Sequence, residues 1–577
     1  MSSPYLCYDI KGIQQFIFSV PKLKCIVGAS GQVAQFDEEF EKFFRVDQRV
    51  KYIFSGGGRG ALECRSLDVA KSISSELIAK AHGFGLDFRI GLSDNFSEAV
   101  QHADELYPYC PKPDDMQGLP CSASGLYPVP EALSSTVHPI IQTRMKEAKT
   151  DFLGKSILDS LMMLHSPSGS WPTIFRNDGY TVEFLRNVNP EPDESDVVVV
   201  DEQRAKAGKQ ALGGRNRWAI IAMDGNDMGL QFDKLKDLYT GDLPDKLGTL
   251  SGELKKITRQ AFEQALVKCV TLWLDKCKPD LRKCSYDEGS IRYLVLPFRP
   301  LILGGDDLVL LCHSSLAMEF VRTMAREFAN RSEKASERIQ KEHGFQPFPY
   351  ANGRLAISAG VLFSKVTLPL HTAIPYAESL LASAKGAFRP KVSDASTEQS
   401  KQVSKASQPT PAAIDWDAIT DTMIDNPTDR RRRELVFYDE ETRRTVSLTD
   451  RPYKLNDQTE QLARTDFDKV LRKAQDLKEL PTSFRADLKI ALNQVWSDRM
   501  QFLISANKDG SCEAIVKSLW EQSEPEWAES SARDSTESGW RIVEDKKTKK
   551  KNEQRTDVLD AILLLEEDHR MNQELES

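Results

Sequence analysis

The sequence predicts an α+β chain: two tandem βαββαβ units followed by a helical C-terminal domain. Three observations carry this. Two glycine turns, Gly56-Gly57-Gly58-Arg59 and Gly304-Gly305-Asp306-Asp307, each sit between short strand-like runs, the pattern of a tight hairpin. Around each turn, strand-like and helix-like stretches recur in one order, an internal repeat. After Asn456 helical spacing returns, with Phe467, Val470, Leu471, Ala474 and Leu477 on one face.

In the first unit, strand Tyr5–Asp9 leads into a helical segment. Strands Val50–Phe54 and Ala61–Arg65 flank the hairpin, then come helix Asp68–His82, strand Leu86–Ile90 and helix Phe96–Leu106. In the second, apolar strand Trp218–Met223 is followed by a helix over about Leu250–Asp275 and strand Ile291–Leu296. The hairpin arms Leu301–Leu303 and Leu308–Cys312, helix Leu316–Lys341, strand Leu355–Leu362 and helix Thr372–Lys385 complete it. This is the order of a ferredoxin-like palm. The domains expected are a first palm at 1–106, an insertion or linker domain at 107–214, a second palm at 215–390, a linker and loop region at 391–455, and a helical domain at 456–577. Within the last, the acidic, serine-rich and then lysine-rich stretch 523–556 reads as disordered, and helix 558–567 as a short docking element.

The chemistry concentrates at the second hairpin. Asp306 and Asp307 read either as an acidic exposed turn or as ligands of a divalent ion. Asp224, at the end of strand 218–223 in the turn Asp224-Gly225-Asn226-Asp227, adds a third carboxylate and favours the second reading. Hard oxygen ligands suit Mg²⁺ or Mn²⁺. Two such ions serve nucleotidyl transfer, activating a 3′-hydroxyl and neutralising the leaving pyrophosphate. Gly225, Gly304 and Gly305 leave room for a nucleotide against the backbone. The first hairpin has Gly58-Arg59 where the second has Asp306-Asp307. It reads either as a structural repeat or as a second nucleotide pocket, with Gly56, Gly57 and Gly58 giving access and Arg59 near the phosphates.

On the Gly304–Asp307 and Asp224–Asp227 motifs, the stretch Arg354–Val361 and Tyr8-Asp9-Ile10-Lys11-Gly12 at the first strand, the chain resembles the polymerase-like large subunit of type III CRISPR effector complexes and, more distantly, diguanylate cyclases. The match spans roughly 5–390. The resemblance implies a two-metal cyclase that converts ATP, or another NTP, into a cyclic oligonucleotide messenger, cyclic oligoadenylate above all, for a messenger-activated effector downstream. It also implies other CRISPR subunits and guide or target RNA as partners. By the same resemblance Ser358 lies near the adenine and Lys385 reaches the triphosphate; the ordinary readings are a strand serine and a helix C-terminal cation. The family motif is Asp-Gly-Asp-Asn, whereas this chain has Asp-Gly-Asn-Asp, so Asn226 offers a backbone carbonyl and the role of Asp227 is open. A non-catalytic RNA-holding scaffold subunit and a template-dependent polymerase are the alternatives. The intact Asp224, Asp306 and Asp307 set speaks against the scaffold.

Composition narrows the field. A chain of 577 residues with 40% hydrophobic residues accommodates several cores. Its net charge of −9 argues against a protein coated in nucleic acid and weakens the polymerase reading. No window reads as a membrane span or secretory signal, so a cytoplasmic protein is expected. The ten cysteines are expected reduced. Cys110 and Cys121 lie where the family often carries a zinc insertion, but the paired C-x-x-C spacing is missing and zinc is not expected. The family's larger members begin with a nuclease domain bearing a His-Asp pair. This chain has no His-Asp dipeptide, and DNA cleavage of that type is not expected. The basic run Arg430–Arg433 reads as a solvated loop, with a nucleic-acid or nucleotide phosphate as the alternative contact.

Overall fold

A computed structural model describes residues 3–19, 23–84, 86–105, 119–120, 128–129, 151–164, 179–185, 198–213, 217–239, 242–389, 409–419, 426–440, 444–455, 466–478, 480–492, 541–544, 551–555 and 558–569. The first palm runs β1 (Tyr5–Lys11), α1 (Ile13–Phe18), α2 (Leu23–Phe44), β2 (Val50–Gly56), β3 (Arg59–Cys64), α3 (Leu67–Phe84), β4 (Asp87–Ser93) and α4 (Phe96–Glu105). Its antiparallel sheet has the order β2-β3-β1-β4. β1 is central, and Leu6, Cys7, Tyr8, Asp9 and Ile10 are all buried, as expected of a strand covered on both faces. At Gly91 the helix after β4 comes so close that a Cβ would stand 1.9 Å from the Ala99 carbonyl oxygen. Only glycine permits that approach.

After the first palm come the two-residue strands β5 (Leu119–Pro120) and β6 (Pro128–Val129), α5 (Phe152–Leu164), β7 (Tyr180–Phe184) and α6 (Val198–Ala211). The second palm then begins with β8 (Arg217–Gly225), α7 (Met228–Leu238) and α8 (Leu243–Leu272). Next are β9 (Ser285–Glu288) and β10 (Ile291–Leu296). β10 pairs in parallel with β7 and antiparallel with β9. Strand 291–296, expected in the palm, therefore belongs to a separate three-stranded sheet with the inter-palm segment. The reason is Pro297: it has no N–H to continue a ladder, so one strand ends there and another begins. The palm strand is β11 (Phe298–Gly304), which pairs with β12 (Asp307–Cys312), and β12 pairs with β8. Fully buried Arg299 on β11 is held by Asp151 at 2.7 Å and by the Phe184 and Leu185 carbonyls. α9 (Ala317–His343), β13 (Ile357–Lys365) and α10 (Leu370–Phe388) complete the βαββαβ order.

The repeat extends to details. Both hairpins carry a bulge at one offset from the turn, between Tyr52 and Phe54 on β2 and between Pro300 and Ile302 on β11. Each bulged residue meets a helix of the other palm. A Cβ on Gly248 of α8 would lie 2.6 Å from the Ile53 carbonyl oxygen, and the Ser30 hydroxyl of α2 donates to the Leu301 carbonyl. Leu243 of α8 joins the buried cluster formed by Cys7, Ile53, Ala61 and Phe96, with Leu247 packed against it. Lys51–Asp245 (2.6 Å) and Lys255–Glu41 (2.9 Å) tie the same faces at the rim.

The chain divides into two compact units, and everything above up to Ile357 lies in the first. In the second, β13 pairs in parallel with β14 (Ala413–Ala418), and β14 pairs antiparallel with β17 (Tyr453–Lys454). A second sheet has the order β15 (Val436–Asp439), β16 (Arg444–Ser447), β19 (Lys551–Arg555), β18 (Arg541–Glu544). Its helices are α11 (Pro427–Glu434), α12 (Phe467–Lys478), α13 (Thr482–Leu492) and α14 (Val558–His569). So the region expected as linker and loop carries four short strands and a helix. The stretch expected as disordered supplies β18 and β19. Strands of two to six residues held by buried ion pairs leave no periodicity to read. The Arg430–Arg433 run is helical: Arg431 is buried against Asp415 at 2.6 and 2.8 Å, and Arg430 binds Asp417 and Glu434. Among the described residues no helix is long and apolar enough to cross a membrane.

Candidate active site

The second hairpin turns through Gly305 and Asp306, with Gly304 opposite Asp307 and Gly305 at φ +62°. The register of β12 on β8, with Leu308 opposite Met223, brings Asp224 to the base of the hairpin. Asp306 shares a side-chain hydrogen bond with Asp224. Burial, then the charges of Asp224 and Asp307, push the Asp306 carboxyl well above the usual carboxylate range. By exposure Asp306 and Asp224 are half-buried and Asp307 is exposed. Gly225 makes this possible: a Cβ there would stand 2.7 Å from Asp306 Oδ2. Among the described residues no three acidic, His or Cys side chains converge as a ready-made metal cluster. The donor set still fits a divalent ion, because two carboxyls pressed together must share a proton, and a hard cation replaces that proton.

The first hairpin turns through Gly57 (φ +62°) and Gly58 (φ +77°), both in the left-handed region favoured in two-residue hairpins. Arg59 stands opposite Gly56, as Asp307 does opposite Gly304, and opposite Asp9 on β1. Asp9 is thus the positional counterpart of Asp224, Arg59 of Asp307 and Gly58 of Asp306. A side chain at the Asp306 counterpart would have to displace Ile13, since a Cβ on Gly58 would lie 2.2 Å from Ile13 Cδ1, and would be strained at φ +77°. Asp9 is paired with Lys11, and with Arg59 at 3.3 Å; Asp104 holds Lys11 at 2.7 Å and Arg59 at 3.7 Å. Behind the turn, buried Asp37 accepts from the Gly58 amide and the Tyr8 hydroxyl, and burial pushes its carboxyl up to about 6.

The hairpin tips meet: a Cβ on Gly304 would lie 3.8 Å from Gly57 Cα. A cavity opens on either side. One, of about 640 Å³, runs from Asp306 and Asp307 along α7 (Gly229, Phe232, Lys236) to the wall of the first palm. The other, of about 540 Å³, lies over Lys11–Gln15 and α2 and is closed by Ile302, Leu303 and Asp307 of the second palm. Gly57, Gly304, Asp9, Arg59 and Asp307 border both. Each cavity therefore sits over the turn after a central strand and is walled by the other palm.

Residues 217–392 match the family model of Cas10/Cmr2, second palm domain. This part of the chain is similar to the second palm domain of Cas10/Cmr2. Similar solved structures include the Csm1–Csm4 cassette in complex with cA4 (13% identity, TM-score 0.35) and with AMPPNP (14%, 0.35), each covering 67% of this chain and 53% of that one. Csm1 in T. onnurineus is similar at 14% identity and TM-score 0.34, covering 66% and 51%. The chain thus spans about half the length of the solved chains that it matches. No curated protein matches it significantly in sequence.

The remaining expected residues are distributed as follows. At the turn of the second palm, the Asn226 amide donates to the Ala356 carbonyl at 2.8 Å, and Asp227 takes φ +56° as the cap of α7. Asp227 therefore shapes the turn, a conformation acidic and amide side chains tolerate. Ser358, fully buried on β13, accepts from the Ala413 amide at 3.1 Å, a strand-pairing role. Lys385 is half-buried in the last turn of α10. Both belong to the second unit. Cys110 and Cys121 lie outside the described residues; the seven described cysteines are buried and unbridged. Sequence reasoning missed Asp9, Lys11, Asp104 and Ile13. A signal for Asp9 was present: aligning the two hairpins through the strand before them places it over Asp224.

Proposed function

We propose that this chain is a metal-dependent nucleotidyltransferase that joins nucleoside triphosphates into a cyclic oligonucleotide, with ATP as substrate and cyclic oligoadenylate as product. The observation that carries the reading is the meeting of the hairpins at Gly57 and Gly304, with Asp224 and Asp306 in contact at the edge of a cavity of nucleotide size. Adenine is the base that the sequence resemblance implies.

The donor triphosphate would occupy the cavity along α7, its α-phosphate beside Asp224, Asp306 and Asp307. The acceptor would occupy the cavity over Lys11–Gln15, its 3′-hydroxyl directed past Gly57. Asp224, Asp306 and Asp307 would hold two Mg²⁺ or Mn²⁺ ions, which when bound lower the pKa of the attacking hydroxyl and offset charge on the departing pyrophosphate. Gly225, Gly304 and Gly57 keep the backbone low so that both nucleotides reach one point. Contact between the palms fixes the distance between the two cavities, a positioning contribution. The wider setting proposed is a type III CRISPR complex, with companion subunits, guide or target RNA and a messenger-activated effector.

Incubating the pure chain with each labelled NTP and Mn²⁺, with mass spectrometry of the product, tests this. A cyclic or linear oligonucleotide lost in Asp306→Ala is expected. No product from any NTP, with or without RNA, would refute it.

A further inference from the structure

Helix α2 touches both hairpins from one face. Ser30, Val33, Ala34 and Asp37 recur at i, i+3, i+4 and i+7, so they share a face of the helix. Its two polar members are buried and stand two turns apart, roughly 10 Å along the axis. At one end the Ser30 hydroxyl donates to the Leu301 carbonyl, in the bulge of β11 just before Gly304. At the other end Asp37 grips the first hairpin twice. Its Oδ2 accepts from the Gly58 amide in the turn at 3.3 Å, and its carbonyl accepts from the Ser55 hydroxyl on the arm at 3.4 Å. Its Oδ1 accepts from the Tyr8 hydroxyl of β1 at 3.3 Å. The reciprocal helix is built differently. α8 meets the bulge of β2 through Gly248, which has no hydroxyl to do there what Ser30 does at β11.

We propose that α2 is the spacer of the transfer site and that Ser30 and Asp37 are its positioning residues, holding the tips at Gly57 and Gly304 at the separation that the reaction needs. This rests on the reading of the chain as a nucleotidyltransferase. A helix is stiff along its axis because each turn is hydrogen-bonded to the next, so two grips on one face fix the points they hold relative to each other. Val33 and Ala34 show that apolar side chains fill the rest of this face. A hydroxyl and a carboxyl add direction, since each must meet a particular backbone group or be left unpaired in the interior. The carboxyl is held there against its own desolvation, burial having pushed it up to about 6. Its effect is to orient a turn that Gly57 and Gly58, both at positive φ, would otherwise leave free to move. Such orientation matters because a misplacement of about 1 Å lowers a transfer rate by about a hundredfold.

The test uses the full chain carrying Ser30→Ala, Asp37→Ala or Asp37→Asn, with two readouts. The first is steady-state turnover of ATP with Mn²⁺. Ser30→Ala and Asp37→Ala should each lower kcat by about tenfold or more while KM stays within about threefold, the split expected of lost positioning. Asp37→Asn keeps an oxygen for the Gly58 amide and should stay within about threefold of wild type in both. The second readout is hydrogen exchange, which needs no activity. Ser30→Ala should lower protection of the β2–β3 amides, and Asp37→Ala that of the β11–β12 amides, each by about threefold or more at the hairpin that the altered residue does not touch. Wild-type exchange at the far hairpin in both variants would overturn the proposal. So would a raised KM with unchanged kcat, or equal losses in Asp37→Asn and Asp37→Ala. If the wild-type chain forms no product, the catalytic reading fails, and the exchange experiment still decides whether α2 couples the hairpins.

Discussion

Asp37→Asn should stabilise the first palm at neutral pH and remove its pH dependence between about 4 and 6. Asp37 is buried behind the glycine hairpin, and its carboxyl is raised from 3.8 to about 6, burial being the largest cause. The folded state therefore holds a proton that the unfolded chain releases. Stability is highest below pH 4 and falls as pH rises, until the loss is complete above pH 6. A rise of that size corresponds to roughly 3 kcal/mol. Asparagine keeps an oxygen for the Gly58 amide and an amide group for the Tyr8 hydroxyl without the buried charge. Hydrogen exchange of β1–β3 amides, corrected for intrinsic rates, reads the local stability. Wild-type protection should fall by up to about 3 kcal/mol between pH 4 and 7, while the variant's should stay flat. Parallel pH dependence in the two proteins would refute the reasoning, as would a variant less stable than wild type at pH 7.5.

Asp306→Ala or Asp307→Ala should abolish product formation, a loss of several kcal/mol in the metal-assisted step, with unchanged circular dichroism; wild-type turnover in the double variant would refute the site. Asp224→Asn should be as damaging, whereas Asp227→Asn should lose little, because asparagine also accepts the positive φ at the cap of α7; comparing Mn²⁺ titrations of the two variants checks this. Gly57→Val should cost about 1–2 kcal/mol of local stability from its positive φ and remove one of two nucleotide sites in calorimetry. An unchanged stoichiometry and rate would leave the first palm as a structural repeat only.

The second hairpin was legible because its information is local: glycines that permit the turn, carboxylates at its tip and apolar arms that bury themselves. The first palm was legible for the same reason, down to its missing carboxylates. The charge cluster around Arg59 was not, since Asp9, Arg59 and Asp104 are up to about a hundred residues apart and become one cluster only through strand register. β10 was misplaced because its composition suits either sheet, and Pro297 alone separates it from β11. The second unit was hardest. Asp415 with Arg431, and Asp560 with Arg451 at 2.9 Å, are polar core pairs, and charged residues read as surface until their partners are known.

The exchange of helices at the two bulges has the form of an isologous interface, in which one surface meets its own copy about a two-fold axis. Here that interface is written within one chain. In a true homodimer every substitution appears twice, so losing a carboxylate on one side means losing it on both. Joining the halves lifts that constraint while keeping the geometry that makes each half complete the other's cavity. One half can then exchange its carboxylates for glycine and arginine, filling the space with Ile13, while the other keeps Asp306 and Asp307. The asymmetry between the hairpins is what a covalently joined pair can tolerate and a symmetric dimer cannot.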